Sequence, residues 1–303
     1  MTAEDAARRA GPIGRRRPEP SVAGWHIAER RRGAGIPWAG ATGLLIFTAI
    51  LLMALLAEGL SPYDPWQRFE PFSAPSGEHL LGTNDMGNDI LSELIYGSRV
   101  SLLVGFGAAL IATIIGSAVG LLSGYYRGAL DEALMGITDV ILMVPQIPLI
   151  VVLSAFLRPS FWIVAMIMGA LWWPSTARVV RSRALQIREM AFIESSVSLG
   201  FRHIHIILQE MLPNLWHVIA PKFLLSVASA MIAESSISFL GLGDPSVKSW
   251  GMMINFAFNR GGFINGCYWW YMPPGLCISL SVLSVSLIGF ALEDREEETM
   301  RIE

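Results

Sequence analysis

The sequence predicts an all-α integral membrane protein with six transmembrane helices and both termini on the cytoplasmic side. Three observations carry that reading. The 303 residues are 53% apolar and only 16% charged, with a mean hydropathy of +0.50, whereas soluble domains carry roughly 25% charged residues. The apolar residues are gathered into blocks of about 20, the helix length that crosses a hydrocarbon core of roughly 30 Å. Lys and Arg then fall on alternate sides of those blocks. A soluble two-domain enzyme, which the length alone would allow, is therefore excluded as the leading reading. The net charge of −3 argues against a general nucleic-acid binder. Two cysteines, Cys267 and Cys277, give no disulfide framework.

Residues 1–35 come first, an Arg-rich tail with prolines and glycines but almost no apolar periodicity. It reads as a disordered cytoplasmic segment that sets orientation beside anionic lipid. The spans follow near Pro37–Leu60, Val100–Leu122, Leu134–Leu157, Phe161–Val180, His217–Leu242 and Tyr268–Leu292. Each carries enough Leu, Ile, Val and Phe to favour insertion, at about −0.3 to −0.6 kcal/mol per such residue near the helix centre. The fifth is the least apolar, interrupted by Lys222, Glu234 and several serines. The first exceeds the 7–15 apolar residues typical of a signal peptide and ends without a small-x-small site, so it reads as a permanent anchor. The domain plan is thus a tail (1–35), a first span with its external loop (36–97), a five-span core (98–293) and an acidic cytoplasmic tail (294–303). With the N-terminus inside, 17 of the 22 Lys and Arg lie on the cytoplasmic face, as the positive-inside rule requires.

The chain lacks G-x-x-x-x-G-K-[ST], and neither of its two lysines, Lys222 and Lys248, follows a glycine. It has no phosphate cradle of the Walker kind. His203 and His205, two apart, point to different helix faces, and no cysteine or carboxylate cluster completes a metal site. Ser226, Ser229, Ser235, Ser236 and Ser238 have no base at helical spacing and read as packing serines.

The informative pattern lies in the long inner loop, residues 181–216. It reads Glu194-Ser195-Ser196, three residues, Gly200, nine residues, then Glu210-Met211-Leu212-Pro213. Met190–Leu199 is suited to a short helix closed by Gly200 in a left-handed C-cap. A second helix is expected from about Arg202, stopped or kinked by Pro213. Two short helices about a glycine turn would make a rigid knob at the membrane surface.

That spacing resembles the E-A-A-x3-G-x9-I-x-L-P signature of ABC-importer permeases. Glu194, Gly200, Leu212 and Pro213 match it, Ser195 and Ser196 replace the two alanines, and Glu210 replaces the isoleucine. Further segments resemble the dipeptide, oligopeptide and nickel branch of that family. They are Ser61–Pro65, Leu81–Asp89 continuing to Leu102, Ile137–Val140 with Pro145, Ser238–Gly243 and Ser249–Gly251. Asn88 and Glu93 stand where the family usually carries arginines. The resemblance implies a type I (MetI-like) importer permease fold in the cell (inner) membrane, with residues 181–216 as the loop that couples to an ATPase. It implies a second homologous permease, two ABC ATPase subunits that use ATP and magnesium, and an extracytoplasmic solute-binding protein. It implies no cofactor on this chain and no nucleic-acid partner. Short peptides are the implied solute, with nickel chelates or oligosaccharides as alternatives. A membrane-embedded enzyme or sensor acting alone is the alternative from another class.

Two carboxylates fall inside apolar spans, where a charge costs about 2.5–3.5 kcal/mol on insertion scales. Asp139 and Glu234 could line a translocation path, or pair with a hydroxyl or arginine of a neighbouring helix. For Asp139, near the end of its span, pairing is preferred; for Glu234 both readings stay open. Gly116, Gly120 and Gly124 form a small-xxx-small stripe, suited to close helix packing within the chain or against a second permease. Trp162, Trp172, Trp173, Trp269 and Trp270 read as interfacial belts. The run Tyr268–Tyr271 could instead face a docking protein.

Overall fold

The computed structural model describes residues 37–157 and 160–299. The Arg-rich segment 1–35 and the last four residues of the acidic tail lie outside them. Apolar stretches in lipid must satisfy their own backbone groups, and helices do so locally. Accordingly the predicted spans are helical over most of their length: α1 (Pro37–Leu55), α2 (Ala57–Leu60), α3 (Ile90–Tyr126), α4 (Gly128–Met143), α5 (Gln146–Phe156) and α6 (Phe161–Arg188). A short α7 (Ala191–Ser198) precedes α8 (His203–Phe239), and α9 (Trp250–Asn259) and α10 (Tyr268–Thr299) complete the order. Five helices are long and apolar enough to cross a membrane, and α4 with α5 makes a sixth, broken span bent by 77°.

Three boundaries differ from the sequence reading. The third span is not one helix. Pro145 lacks an N–H and drives Val144 to an extended conformation (φ −78, ψ 131), which ends α4. Gln146 restarts the chain as α5, and its side-chain amide donates to the Leu171 carbonyl at 3.1 Å. The second span begins at Ile90, ten residues before its apolar block, so the expected division at 97/98 falls inside α3. Asp89 caps that helix, accepting from the Ser92 backbone N–H at 2.9 Å. The third difference concerns Pro213, which neither stops nor starts a helix. The turn before it, Ile206–Met211, is π-helical, and the Leu212 N–H bonds back five residues to the Ile207 carbonyl. That wider turn accommodates a proline ring that would otherwise crowd the carbonyl four residues earlier.

The glycine stripe sits between α3 and α6. These run parallel, because Gly116 faces Trp173 and Thr176, Gly120 faces Ala177 and Val180, and Gly124 faces Ala184. A Cβ on Gly116 or Gly120 would lie 2.6 Å from the Trp173 or Ala177 carbonyl oxygen. Backbones this close maximise dispersion contact where lipid offers no hydrophobic drive for helix association. On the other side, α10 packs between α1 and α8, with Gly40 and Gly43 opposite Ala291 and Leu287.

Two of the expected belt tryptophans are core residues instead. Trp173 is buried beside the stripe. Trp270 is 1% exposed and stacks edge-on against Phe72 of the external-loop segment. Proximity to a span end does not decide burial here: helix packing covers Trp173, and segments 61–89 and 240–267 fold back over the end that holds Trp270. They hold together through Lys248, whose ammonium donates to Glu93 at 2.5 Å and lies 3.9 Å from the Trp66 ring centroid. Glu93 also accepts from Asn84 at 3.0 Å, and Asn88 donates to the Gln67 carbonyl at 2.9 Å. The two positions that depart from the family's arginines therefore knit the cap of the bundle.

Candidate functional site

The knob at the opposite end is built from α7, the turn at Gly200 and the start of α8. Only Ile193 of α7 is fully buried. It enters a cluster of Leu121 and Tyr125 from α3, Val180, Ala184 and Ile187 from α6, and Ile206, Met211 and Leu215 from α8. Burying one such side chain is worth about 1.5–3 kcal/mol, so α7 is pinned to three long helices at one point. Its C-terminus is closed by a Schellman motif. The Phe201 N–H donates to the Ser196 carbonyl at 3.2 Å and the Gly200 N–H to the Val197 carbonyl at 3.0 Å, with Gly200 at φ +79. The same device ends α8: Leu242 bonds to Ile237, Gly241 bonds to Ser238, and φ is +83 at Gly241.

The signature residues have distinct positions. Glu194 is exposed at the tip, Ser195 donates to the Ala191 carbonyl at 2.8 Å, and Gly200 is exposed. Leu212 packs against the buried cluster, while Pro213 faces outward. Ser196 and Glu210, two of the three departures from the signature, meet each other: the serine hydroxyl donates to Oε1 of Glu210 at 2.8 Å. Oε2 of Glu210 is buried without a donor among the described residues. An alanine–isoleucine pair would meet there through apolar contact; here the contact is a charge-assisted hydrogen bond between α7 and α8.

Around this anchor the surface is apolar, with Leu199 77% exposed and Phe192, Phe201, Ile204 and Leu208 also exposed. His203 and His205 do diverge. His203 shares a 2.6 Å hydrogen bond with the Tyr125 hydroxyl, and His205 stacks on Phe201 with centroids 5.1 Å apart. Motif spacing could not reveal the Ile193 anchor or the Ser196–Glu210 bond. The run of apolar residues in a loop assigned to water was the available signal for the exposed face.

The two intramembrane carboxylates lie apart from the knob and from each other. Asp139 accepts from Arg178 of α6 at 2.7 Å, both being about half exposed. Glu234 is 3% exposed, and among the described residues it accepts from hydroxyls, including Ser238 at 2.8 Å, Ser235 at 3.3 Å and Ser101 of α3 at 3.5 Å. Ser101 in turn accepts from the Trp250 backbone N–H at 3.3 Å, which links α3, α8 and α9. The void beside Glu234 measures about 10 Å³, room for one water and no solute.

A bundle of long apolar helices, one of them broken, with a surface knob packed on three of the long ones, defines a multi-pass membrane protein. Residues 116–301 match the family described as binding-protein-dependent transport system inner membrane component, and the chain belongs to that family. It is 32% identical to the dipeptide transport system permease protein DppC of Bacillus subtilis (strain 168), over 86% of this chain and 81% of the relative. It is 34% identical to the DppC of Alkalihalophilus pseudofirmus, over 86% and 85%. The DppC of Haemophilus influenzae is 29% identical over 89% of this chain and 92% of its own length. The protein is thus the membrane component of a binding-protein-dependent transport system.

Proposed function

We propose that this chain is the permease subunit of an ATP-driven importer of short peptides, with both termini and the knob in the cytoplasm. It would pair with a second, different permease around a shared path, above two ATPase subunits and beneath an external binding protein. The solute follows from the dipeptide relatives. The supporting observation for the coupling role is mechanical: α7 is pinned by Ile193 to α3, α6 and α8, and α8 runs unbroken from the knob to the far side of the bundle. At 1.5 Å per residue that helix is about 55 Å long. Its apolar, exposed knob face suits a cleft in a soluble ATPase. When the ATPase pair closes on ATP, the knob moves with it, and α8 carries the tilt through the membrane because the helix runs on past Pro213 and Pro221. The access of the central path then alternates between the two faces.

The test is reconstitution of this chain with the products of its neighbouring reading frames, followed by uptake of a labelled dipeptide. Uptake should need ATP, the binding protein and this chain together. Turnover by the chain alone, or labelling of cysteines placed at 190–212 from the external side, would end the proposal.

A further inference from the structure

Beside the knob, in the half of the bundle nearest it, α6 and α8 diverge to leave a cavity of about 620 Å³. Its volume falls within the range of small-molecule sites. Arg178, Arg183, His217 and Lys222 contribute to its walls, and among the described residues the lining carboxylate is Glu293, exposed on α10. The charges are unequal in effect. Arg178 is matched by Asp139, and Arg183 donates to the Gln186 side chain at 2.6 Å. The Lys222 ammonium makes no hydrogen bond or ion pair among the described residues, although the residue stands half-buried within a span. An ammonium in that position is costly, and such residues face a partner or a water-filled path. Among the described residues no carboxylate meets this one, and the cavity beside it has room for an anion.

We propose that this cavity is a cytoplasm-facing site for the carboxylate of a short peptide, held by Lys222 with Arg183 and His217 as it leaves the transport path. The inference rests on the peptide-importer reading above. A zwitterionic peptide carries one group that this wall attracts and one that it repels. The carboxylate therefore docks, and the ammonium turns toward Glu293 and open water. The site is weak by construction, because one unpaired cation in contact with solvent holds a carboxylate only loosely, and weak binding suits a group about to be released.

The chain has only two lysines, and Lys248 is held by Glu93, so amine-reactive footprinting reads Lys222 against an internal control. The assembled transporter in phosphatidylcholine nanodiscs is treated with acetic anhydride, and the modification of each lysine is followed by mass spectrometry. Dialanine's own amine also consumes reagent, so the readout is the ratio of the two lysines: millimolar dialanine should slow modification of Lys222 by about tenfold relative to Lys248. Dialanine amide, which lacks the carboxylate, should not protect. Arg183→Gln and His217→Gln, tested separately so that a packing defect in one does not mask the other, should each weaken protection, and Lys222→Arg should preserve normal transporter levels. Equal protection by the amide, or none by dialanine, overturns the proposal. So does protection by phosphatidylglycerol nanodiscs to which dialanine adds nothing, since a lipid phosphate would then own the site. Dipeptide uptake is measured in parallel. Uptake without protection sinks this inference alone, and protection without uptake sinks the importer reading while leaving the anion site.

Discussion

Replacing Gly200 isolates the backbone geometry of the knob from every other contribution. Its φ of +79 is a conformation that L residues rarely adopt, and a Cβ placed there would meet nothing within 4 Å. A substitution therefore costs backbone strain alone, about 1–2 kcal/mol for an ordinary L residue and more for a β-branched one. That is a factor of about 5–30 in the population of the native turn. Relaxing the strain would break the bonds from Phe201 to Ser196 and from Gly200 to Val197, and so re-aim Leu199 and Phe201. The measurement is ATP-driven dipeptide uptake by the reconstituted transporter, normalised to the amount of chain in the membrane. Gly200→Val should lose most uptake at unchanged abundance, Gly200→Ala should be intermediate, and Gly200→Asn, which tolerates the left-handed region, should stay near the parent. Normal uptake by the valine variant would refute the argument. Equal loss in the asparagine and valine variants would refute it too, because the defect would then track side-chain bulk and not φ.

Ser196→Ala should remove the donor to Glu210, leaving a buried carboxylate without a partner at a cost of about 1–3 kcal/mol; adding Glu210→Ile should restore thermal stability, and a double-mutant cycle that shows no coupling would refute the pairing. Gly120→Leu should separate α3 from α6 and lower the melting temperature of the purified chain, by overpacking worth about 1–3 kcal/mol or more. Glu234→Gln should keep both abundance and uptake, because serine hydroxyls can donate to or accept from an amide, whereas Glu234→Leu should lose abundance first, as quantitative immunoblotting would show. Burial pushes the Cys267 thiol above its ordinary value, so little thiolate is present near neutral pH and maleimide should label it slowly until the protein is unfolded, with rapid labelling of the folded chain counting against its burial.

How much was legible in the sequence differs from element to element. The six spans follow from composition, since about 20 consecutive apolar residues have few stable alternatives to a bilayer. The knob is legible because Glu194, Gly200 and Leu212-Pro213 hold a fixed spacing, and Gly200 carries a backbone requirement that a single residue type meets readily. The broken third span was less legible. Pro145 was visible, but the prolines at 174, 213 and 221 lie inside helices that continue. Whether a proline breaks a helix depends on what satisfies the freed carbonyls, and at Pro213 a π turn makes the room.

Local chemistry along the chain therefore determined the membrane class, the number of apolar blocks, the left-handed turn and the presence of a close-packing glycine face. Tertiary structure decided which partners those features found. It set the stripe against α6 and buried Trp173 beside it, covered Trp270 with refolded loops, joined Ser196 to Glu210, surrounded Glu234 with hydroxyls and left Lys222 facing a cavity. Such pairings join residues far apart in the chain, 155 positions in the case of Glu93 and Lys248. Helical periodicity orders only neighbours three or four residues apart, whereas contacts between helices depend on how whole helices cross.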